Sequence, residues 1–328
     1  MDWAFVFSQT LTQALGITAI IYCLAAIGLN LQFGYTGLLN FGVVAFVASG
    51  AYAIGVIVLT FELSLWLAIP VAMGVAVLLS LLLGIPTLRL RADYLAIVTI
   101  AASELLRLTV RTVLPDYLGG TQGLNGKIGQ QFHDLNPLPA DFESLPVLTW
   151  TRQDLWVVIV GWGLIALFSV LMLLLVRSPW GRVVKGIRED EDAVISLGKN
   201  TFAYKMQSLV VGGIIMAFGG ILWAVAKQSV QPDTFVPDFT FFVYTILLLG
   251  GAARILGPIA GTIIFWFLLA GIGEFLGQAI QAGWIDFLKP TDVGAIRFIL
   301  MGLGLMMLMI FRPQGIFGDK KELALDAR

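Results

Sequence analysis

The chain has 328 residues, of which 58% are hydrophobic and only 12% are charged. Its mean hydropathy is +0.90, and it contains repeated apolar runs of roughly twenty residues, the length that an α-helix needs to cross a bilayer. The formal net charge of −1 argues against nucleic-acid binding, which requires a clustered basic surface. The composition excludes a soluble fold and predicts an all-α polytopic membrane protein.

Nine transmembrane helices are predicted, within a range of eight to ten, as a single domain over 1–328. The predicted spans are 10–29, 38–59, 65–84, 93–114, 155–176, 205–227, 239–253, 256–282 and 294–311. The seventh is short enough to be a broken or half-crossing helix, and a tenth, interfacial segment stays open. The N-terminal MDWAFVF lacks the basic region of a cleaved signal peptide, so we expect the first apolar run to remain as a span.

Basic residues in the loops predict the orientation. The loop 177–204 has five Lys and Arg residues, and the tail 312–328 has four, whereas the loop 115–154 has two against five acids. Because basic loops stay in the cytoplasm, we expect 177–204 and 312–328 to be cytoplasmic and 115–154 to be external. With nine spans, the N-terminus would then lie outside.

The most polar stretch of the loop 177–204 is the run RVVKGIREDEDAVISLGKN, residues 182–200, called here the charged island. It holds four basic and four acidic residues between two apolar spans. The acids favour a helix N-terminus and Gly198 a C-cap, which predicts a short amphipathic helix. Asn200 or Thr201 can cap the next span. The island is either a docking surface for a soluble partner or a solvated loop that only sets the topology.

Two glycine-rich segments resemble each other, GYTGLLNFG at 34–42 and GGAARILGPIAG at 250–261. Glycine lets helices pack closely in lipid, and broken helices survive there only where protein or water satisfies their backbone. One interpretation is that the segments belong to two related halves and face each other along a central pathway. The other is plain helix packing.

Charged residues within spans are costly and often functional. Glu104, Arg107 and Arg111 share one face of the predicted fourth span, so Glu104 can pair with Arg107. We favour this internal pair over a substrate contact, and Glu274 has no evident partner in the sequence. The pathway candidates are Gly34, Gly37, Asn40, Gly42, Glu104, Gly250, Gly251, Gly257, Pro258 and Gly261.

No cofactor or metal site is expected on this chain. His133 is the only histidine, and the lone Cys23 can form no internal disulfide. The run GGTQGLNGK superficially suggests a phosphate-binding loop, but such a loop requires Gly in place of Thr121 and Ser or Thr in place of Ile128. Energy for any transport must therefore come from elsewhere.

Six runs carry a resemblance to a known family: GYTGLLNFG, DYLAIVTIAASELLRL, LGGTQGLNG, SPWGRVVKGIREDEDAVISLGKNTFAYK, LGGAARILGPIAG and FRPQGIFG. They resemble, in the same order along almost the whole chain, those of LivM-type permeases. These are membrane subunits of bacterial ABC importers for branched-chain and related amino acids.

The resemblance implies a coupling role for the charged island and a set of partners. The matching coupling residues are Gly181, Arg182, Arg188, Glu189, Asp190, Glu191, Gly198 and Asn200. Gly186 and Val194 depart from the family pattern. Implied partners in the bacterial inner membrane are a second, LivH-like permease, two ATP-binding subunits that carry ATP and Mg, and an extracytoplasmic binding protein.

The expected substrate is a branched-chain or other neutral amino acid. Urea or a short amide is the alternative within the same class of importers. A stand-alone secondary transporter would need acids or unwound helices at the membrane midplane for a coupling ion. A membrane scaffold without transport ranks last, because it would not need glycine-rich segments in both halves.

Overall fold

The computed structural model describes residues 3–90, 92–139, 148–284, 289–312 and 314–318. The helices of the first half are α1 (Trp3–Ala14), α2 (Ile17–Leu29), α3 (Val43–Gly55), α4 (Leu65–Thr87), α5 (Ala92–Thr112), α6 (Pro115–Leu118) and α7 (Gln130–Asp134). Those of the second half are α8 (Arg152–Arg177), α9 (Pro179–Glu189), α10 (Glu191–Ser196), α11 (Thr201–Lys227), α12 (Pro237–Gly250), α13 (Gly257–Gln281) and α14 (Val293–Phe311).

Short elements complete the described residues. Strands β1 (Leu124–Asn125) and β2 (Ser229–Val230) pair antiparallel, with Leu124 opposite Val230. The π-helical turns Asn30–Tyr35 and Val56–Thr60 follow α2 and α3, and 3-10 turns occupy Gly120–Gln122, Pro232–Thr234 and Pro290–Asp292.

Eight helical segments of the described residues are long and apolar enough to cross a membrane. They are Trp3–Tyr35, Val43–Thr60, Leu65–Thr87, Arg152–Arg177, Thr201–Lys227, Pro232–Gly250, Gly257–Gln281 and Pro290–Leu308. Helix α5 matches the predicted fourth span, but its charged residues set it apart from these eight. The protein is therefore an all-α polytopic membrane protein, as predicted.

Several boundaries differ from the prediction. The second span was expected to begin at residue 38, but α3 begins at Val43 because 36–42 is an irregular segment. The short seventh helix is α12, which has 14 residues and ends at Gly250. Gly251 follows with φ of +102°, a value that disfavours any residue with a side chain.

Helices α2, α3 and α11 form the centre of the bundle. They approach closely through two pairs of glycines on α11, Gly212 with Gly213 and Gly219 with Gly220. A Cβ on Gly220 would lie 1.8 Å from the Val47 carbonyl oxygen of α3, and one on Gly212 would lie 2.7 Å from the Gly28 oxygen of α2. Small residues at such contacts let backbones pack without a hydrophobic driving force. This stripe was not predicted from the sequence, although the two Gly-Gly pairs lie seven residues apart.

Segments predicted to share a side of the membrane do meet in the structure. At one end, called here the island end, Arg188 of α9 contacts Gly34, and Asn30 contacts the backbone of residues 253–254. At the opposite end, β1 from the loop 115–154 pairs with β2 after α11. These contacts agree with the grouping of loops that the charge pattern predicted.

Candidate functional site

The charged island folds as two helices. In α9, Pro179 occupies the first turn and the Ser178 hydroxyl accepts a hydrogen bond from the Gly181 amide at 3.3 Å. Asp190 ends α9 and caps α10, since its carboxylate accepts the Ala193 amide at 3.0 Å. The predicted acidic helix start is right for α10, but the basic run before it was not expected to form a helix of its own.

The predicted caps at the end of the island are confirmed. Gly198 has φ of +75° and its amide donates to the Ile195 carbonyl at 2.8 Å, as a left-handed C-cap does. The Asn200 side chain accepts the Ala203 amide at 3.1 Å and so caps α11. Because α11 follows α10 after four residues, the island is joined to a central span by a short connection.

The two island helices differ in what they expose. Helix α9 buries Val184 and Ile187 and exposes its basic side chains. Helix α10 buries only Val194, whereas Ile195 is 51% and Leu197 78% exposed. The short amphipathic helix predicted from the sequence is present as α10, and two of its apolar side chains are exposed beside neighbouring acids at the end of the bundle.

Gly181 holds α9 against the end of α8. A Cβ at this position would lie 2.4 Å from the Val176 carbonyl oxygen, so no larger residue fits without moving α9. This glycine is buried. Its contribution to the predicted coupling surface is therefore to position α9 and not to contact a partner.

Arg188 joins the island to the first glycine-rich segment. Its guanidinium Nη1 donates to the Gly34 carbonyl oxygen at 2.5 Å. A Cβ on Gly37, which has φ of +75°, would lie 3.3 Å from Arg188 Cγ. Hydrogen bonds from a charged donor are stronger than those between neutral groups, so Arg188 ties α9 firmly to the segment after α2.

Further contacts tie α9 and α10 to α11 and to the π-turn after α2. Glu191 forms an ion pair with Lys205, and the Trp180 indole donates to the Gln207 side chain at 2.7 Å. Lys185 lies over the Tyr35 ring, 5.7 Å from its centroid. The island is thus held at several points by the helices that form the centre of the bundle.

The two glycine-rich segments lie against each other. The Asn30 side chain donates to the Arg254 carbonyl oxygen and accepts the Ala253 amide, both at 2.8 Å. A Cβ on Gly34 would lie 2.6 Å from the Ala253 nitrogen. Asn30 was not among the candidates, because nothing local in the sequence links it to a segment more than 200 residues away.

The second glycine-rich segment is packed tightly within the chain. A Cβ on Gly250 would lie 1.9 Å from the Gly257 oxygen, and one on Gly261 would lie 2.1 Å from the Ile246 oxygen. Pro258 is buried in the first turn of α13. These glycines bring α12 and α13 together, which favours the packing interpretation, and their role in a pathway stays a prediction.

Asn40 is also buried, at 1% exposure, and its side chain is fully engaged. It donates to Gln32 Oε1 at 2.8 Å and accepts the Gly42 amide at 2.9 Å. Gln32 donates in turn to the Leu209 carbonyl at 3.0 Å. This network fixes the irregular segment between α2 and α3 to α11.

Residues 314–318, from the run FRPQGIFG, cap the end of α12. The amides of Ile316 and Phe317 donate to the carbonyl oxygens of Leu249 and Gly250, at 2.9 and 3.3 Å. The last carbonyls of a helix have no partner within it, so residues 314–318 supply the missing donors.

The predicted pair on α5 is confirmed and has a third member. Arg107 donates to both carboxylate oxygens of Glu104, at 3.0 and 2.6 Å. Asp233, in the 3-10 turn after β2, accepts from Arg107 at 3.0 Å and from Arg111 at 3.2 Å. These four residues are called here the α5 charge cluster. Asp233 could not be found from the sequence, because it lies more than 120 residues from its partners.

A cavity of about 380 Å³ lies beside this cluster, between α3, α4 and α5. Helix α3 contributes mainly small residues to it, such as Ala48, Ser49 and Ala53. Arg107 lines it from α5, and Phe235 lines it from the connection between β2 and α12. The wall is otherwise almost entirely apolar.

Comparison with known proteins identifies the family to which this chain belongs. The family described as "branched-chain amino acid transport system / permease component" matches residues 11–311. The chain belongs to this permease family. No solved structure matches the chain.

Curated relatives of the permease cover nearly all of it. It is 28% identical over 324 residues to the high-affinity branched-chain amino acid transport system permease protein LivM of Escherichia coli, covering 96% of the chain and 71% of that protein. It is 25% identical over 335 residues to a probable LivM of Methanocaldococcus jannaschii, covering 92% and 91%. A nucleoside ABC transporter permease protein, NupC of Lactococcus lactis, is 21% identical over 287 residues, covering 85% of each.

The permease gathers most of the predicted site residues into two groups. The island residues and the segment 34–42 meet at the island end, through Arg188. The segment 250–261 joins them through Asn30. Glu104 lies apart from both groups, in the α5 charge cluster. Among the described residues, those lining the cavity do not include the predicted pathway glycines.

One further charge in the spans has a partner on another helix. Glu274 of α13 accepts a hydrogen bond from the Gln13 side chain of α1 at 3.5 Å. No partner for Glu274 was evident from the sequence. Its contact with α1 shows that it takes part in joining two helices of the permease.

Proposed function

We propose that the permease is the transmembrane subunit of an ATP-driven importer for branched-chain or other neutral amino acids. ATP hydrolysis would take place on separate subunits, which carry ATP and Mg, and the permease itself would change no covalent bond. The proposal is supported by the membership of the chain in its family and by the transport function for which its LivM relatives are named.

The observation that carries the coupling role is the exposure of α10. Ile195 and Leu197 are 51% and 78% exposed, beside the acids of the charged island. Large exposed apolar side chains ringed by polar groups are typical of protein interfaces. At the same time, Arg188 and Glu191 hold the island to the central helices, so a force on α10 would reach the spans.

The proposed assembly follows from this surface and from the charge pattern. The island end would face the cytoplasm, where two ATP-binding subunits dock, with one on this permease and one on a second, LivH-like permease. The opposite end would face outside and receive substrate from an extracytoplasmic binding protein. The N-terminus would then be external and the tail 312–328 cytoplasmic, in a bacterial inner membrane.

The substrate proposal follows the LivM relatives. They are named for branched-chain amino acids and are 25–28% identical to the permease, whereas the nucleoside permease is 21% identical. Urea and short amides lack support of this kind. A stand-alone secondary transporter also fits less well. It would need an acid free to bind a coupling ion, whereas Glu104 of α5 is paired with Arg107, which also pairs with Asp233.

The test is uptake by the reconstituted complex. Proteoliposomes containing both permeases and the ATP-binding subunits, with the binding protein outside, would be supplied with labelled leucine, alanine, urea and a nucleoside. We expect ATP-dependent uptake of the neutral amino acids. Uptake of only urea or the nucleoside, or uptake that needs an ion gradient but no ATP, would contradict the proposal.

The same system tests α10. In an Ile195→Asp, Leu197→Asp variant we expect the ATP-binding subunits to co-purify poorly, because a desolvated interface tolerates an inserted charge badly. The matched control is Leu135→Asp, at a side chain that is 57% exposed at the opposite end. Equal recovery of the ATP-binding subunits with both variants would show that α10 is not their docking surface.

A further inference from the structure

The cavity beside α5 is an elongated groove between three helix faces. Residues 45, 49, 53 and 57 recur every fourth position along α3 and its π-turn, so one face of α3 lines the groove along its length. Val71 and Val75 of α4 and Ser103 of α5 form the sides. The groove runs from the start of α3 toward the opposite end, which is external in the proposed orientation.

The outer part of the groove has polar groups and a cover. Arg107 reaches it from α5, while Leu118, Pro232 and Phe235 come from connections at the opposite end. Tyr52 also lines it and is 7% exposed. Among the described residues, no group forms a hydrogen bond with the Tyr52 hydroxyl. A buried hydroxyl without a partner is costly, so its position beside the cavity points to a ligand.

We propose that this cavity binds the transported amino acid, with its apolar side chain along α3 and its charged groups at Arg107, Glu104 and Asp233. This inference rests on the transport function proposed above. The volume of about 380 Å³ lies within the range of about 300–1,000 Å³ of small-molecule sites, which are mostly apolar with a few convergent polar groups.

The α5 charge cluster suits a zwitterion. It combines two arginines with two carboxylates, so its formal charges cancel. Arginine has five N–H donors, and Arg107 uses three hydrogen bonds to hold Glu104 and Asp233. A substrate carboxylate can take the remaining donors. The carboxylates of Glu104 and Asp233 are bonded to Arg107, outside the residues that line the cavity. They are 35% and 59% exposed and would accept the ammonium group of a substrate bound at Arg107.

A lipid chain is the competing occupant, and the charges argue against it. An acyl chain would fill an apolar groove without needing a paired cluster at its end. An anionic headgroup would favour an arginine, but the two neighbouring carboxylates would repel it. An amino acid carries both charges that the cluster can bind, and it can also form a hydrogen bond with the Tyr52 hydroxyl.

The experiment makes the groove smaller by enlarging one side chain of α3. In the full reconstituted complex, Ala53→Phe places a large ring in the cavity. The control is Ala166→Phe, at an exposed position on α8. Labelled leucine and alanine would be offered separately, and the ratio of their kcat/KM values compared. A misfolded permease would lose both activities together, so the ratio reports on the size of the cavity.

We expect Ala53→Phe to reduce the preference for leucine over alanine by roughly tenfold or more, as one methylene in an apolar pocket changes specificity by about 10–200-fold. The intermediate Ala53→Val should give a smaller change in the same direction, and Ala166→Phe should give none. Tyr52→Phe should raise the KM for both substrates, because it removes the proposed hydroxyl partner and leaves the ring in place.

Three results would overturn the inference. An unchanged leucine-to-alanine ratio in Ala53→Phe would exclude the cavity from substrate selection. A lipid retained by the wild-type complex in native mass spectrometry and lost in Ala53→Phe, with normal transport, would assign the groove to an acyl chain. An unchanged KM in Tyr52→Phe would show that the hydroxyl does not bind the substrate, and the observation that points to a ligand in the cavity would fail. If the wild-type complex moved no amino acid at all, the proposed function would fail instead.

Discussion

The charged island and the α5 charge cluster use charge in opposite ways. In the island, most charged side chains are exposed, and two of them, Arg188 and Glu191, hold the island to the spans. In the cluster, Arg107 lies within α5, the helix that matches the predicted fourth span, and its ion pairs with Glu104 and Asp233 neutralise it. Exposed charges can change partners during a transport cycle, whereas a charge within a span needs a partner at each stage. The two proposals thus make different predictions, partner docking for the charged island and ligand contact for the α5 charge cluster.

The largest effect should come from the contact between the island and the spans. Arg188→Ala removes the hydrogen bond to the Gly34 carbonyl, and a hydrogen bond to a charged group contributes about 1.5–3 kcal/mol. We expect uptake to fall roughly tenfold or more, while the ATP-binding subunits stay bound and hydrolyse ATP without transport.

The control for this variant is Arg177→Ala, which removes an exposed charge at the end of α8, next to the island. Its uptake should stay close to wild type. A loss of ATP-binding subunits in Arg188→Ala would mean that this arginine belongs to the docking surface, and the division between anchoring and docking residues within the island would fail.

A moderate effect is expected when the α5 charge cluster loses its outer member. Asp233→Asn breaks the ion pairs with Arg107 and Arg111 and removes one acceptor for the substrate ammonium. Because Asp233 is 59% exposed, we expect the KM for leucine to rise by about fivefold or less. ATP hydrolysis without substrate should not change.

Asp116→Asn is the matched control, since Asp116 is an exposed acid of α6 at the same end. If it raised the KM as much as Asp233→Asn does, a general loss of negative charge at this end would explain both variants. The cluster would then have no specific role in substrate contact.

The smallest effect should come from the ion pair between Glu191 and Lys205. Glu191→Lys places two cations together, and Glu191→Lys with Lys205→Glu restores an opposite pair. Since Glu191 is 40% exposed, we expect the free energy of unfolding of the single variant to fall by about 1 kcal/mol or less. The charge-swapped variant should recover this loss.

Glu189→Lys, at an exposed position of α9, tests the contact of the island with its partner independently of this ion pair. This variant should weaken binding of the ATP-binding subunits without lowering the stability of the permease. If Glu189→Lys destabilised the permease as much as Glu191→Lys does, the distinction between the two acids would be wrong.

Local patterns in the sequence predicted local structure well. The caps at Gly198 and Asn200 follow from residue preferences at helix ends, and the Glu104–Arg107 pair follows from their spacing of three residues. The spans followed from the length and apolarity of each segment. Each of these inferences depends on residues that lie within one or two helical turns.

Contacts between distant segments could not be predicted. The hydrogen bond from Arg188 to Gly34 joins residues 154 positions apart, and that from Arg107 to Asp233 joins residues 126 apart. The cavity depends on how α3, α4 and α5 pack, so no single run of residues encodes it. The π-turn Val56–Thr60, which lines the cavity, was also missed, because residue preferences do not distinguish such turns from α-helix.

The contact of residues 314–318 with α12 bears on the order of folding during synthesis. The amides of Ile316 and Phe317 satisfy carbonyls at the end of α12, yet the ribosome makes them after every helix described here. Until they emerge, the last turn of α12 needs water or another chain as a substitute donor. The island end, where Gly250 and Gly251 lie beside this segment, is therefore completed only when translation has passed residue 317.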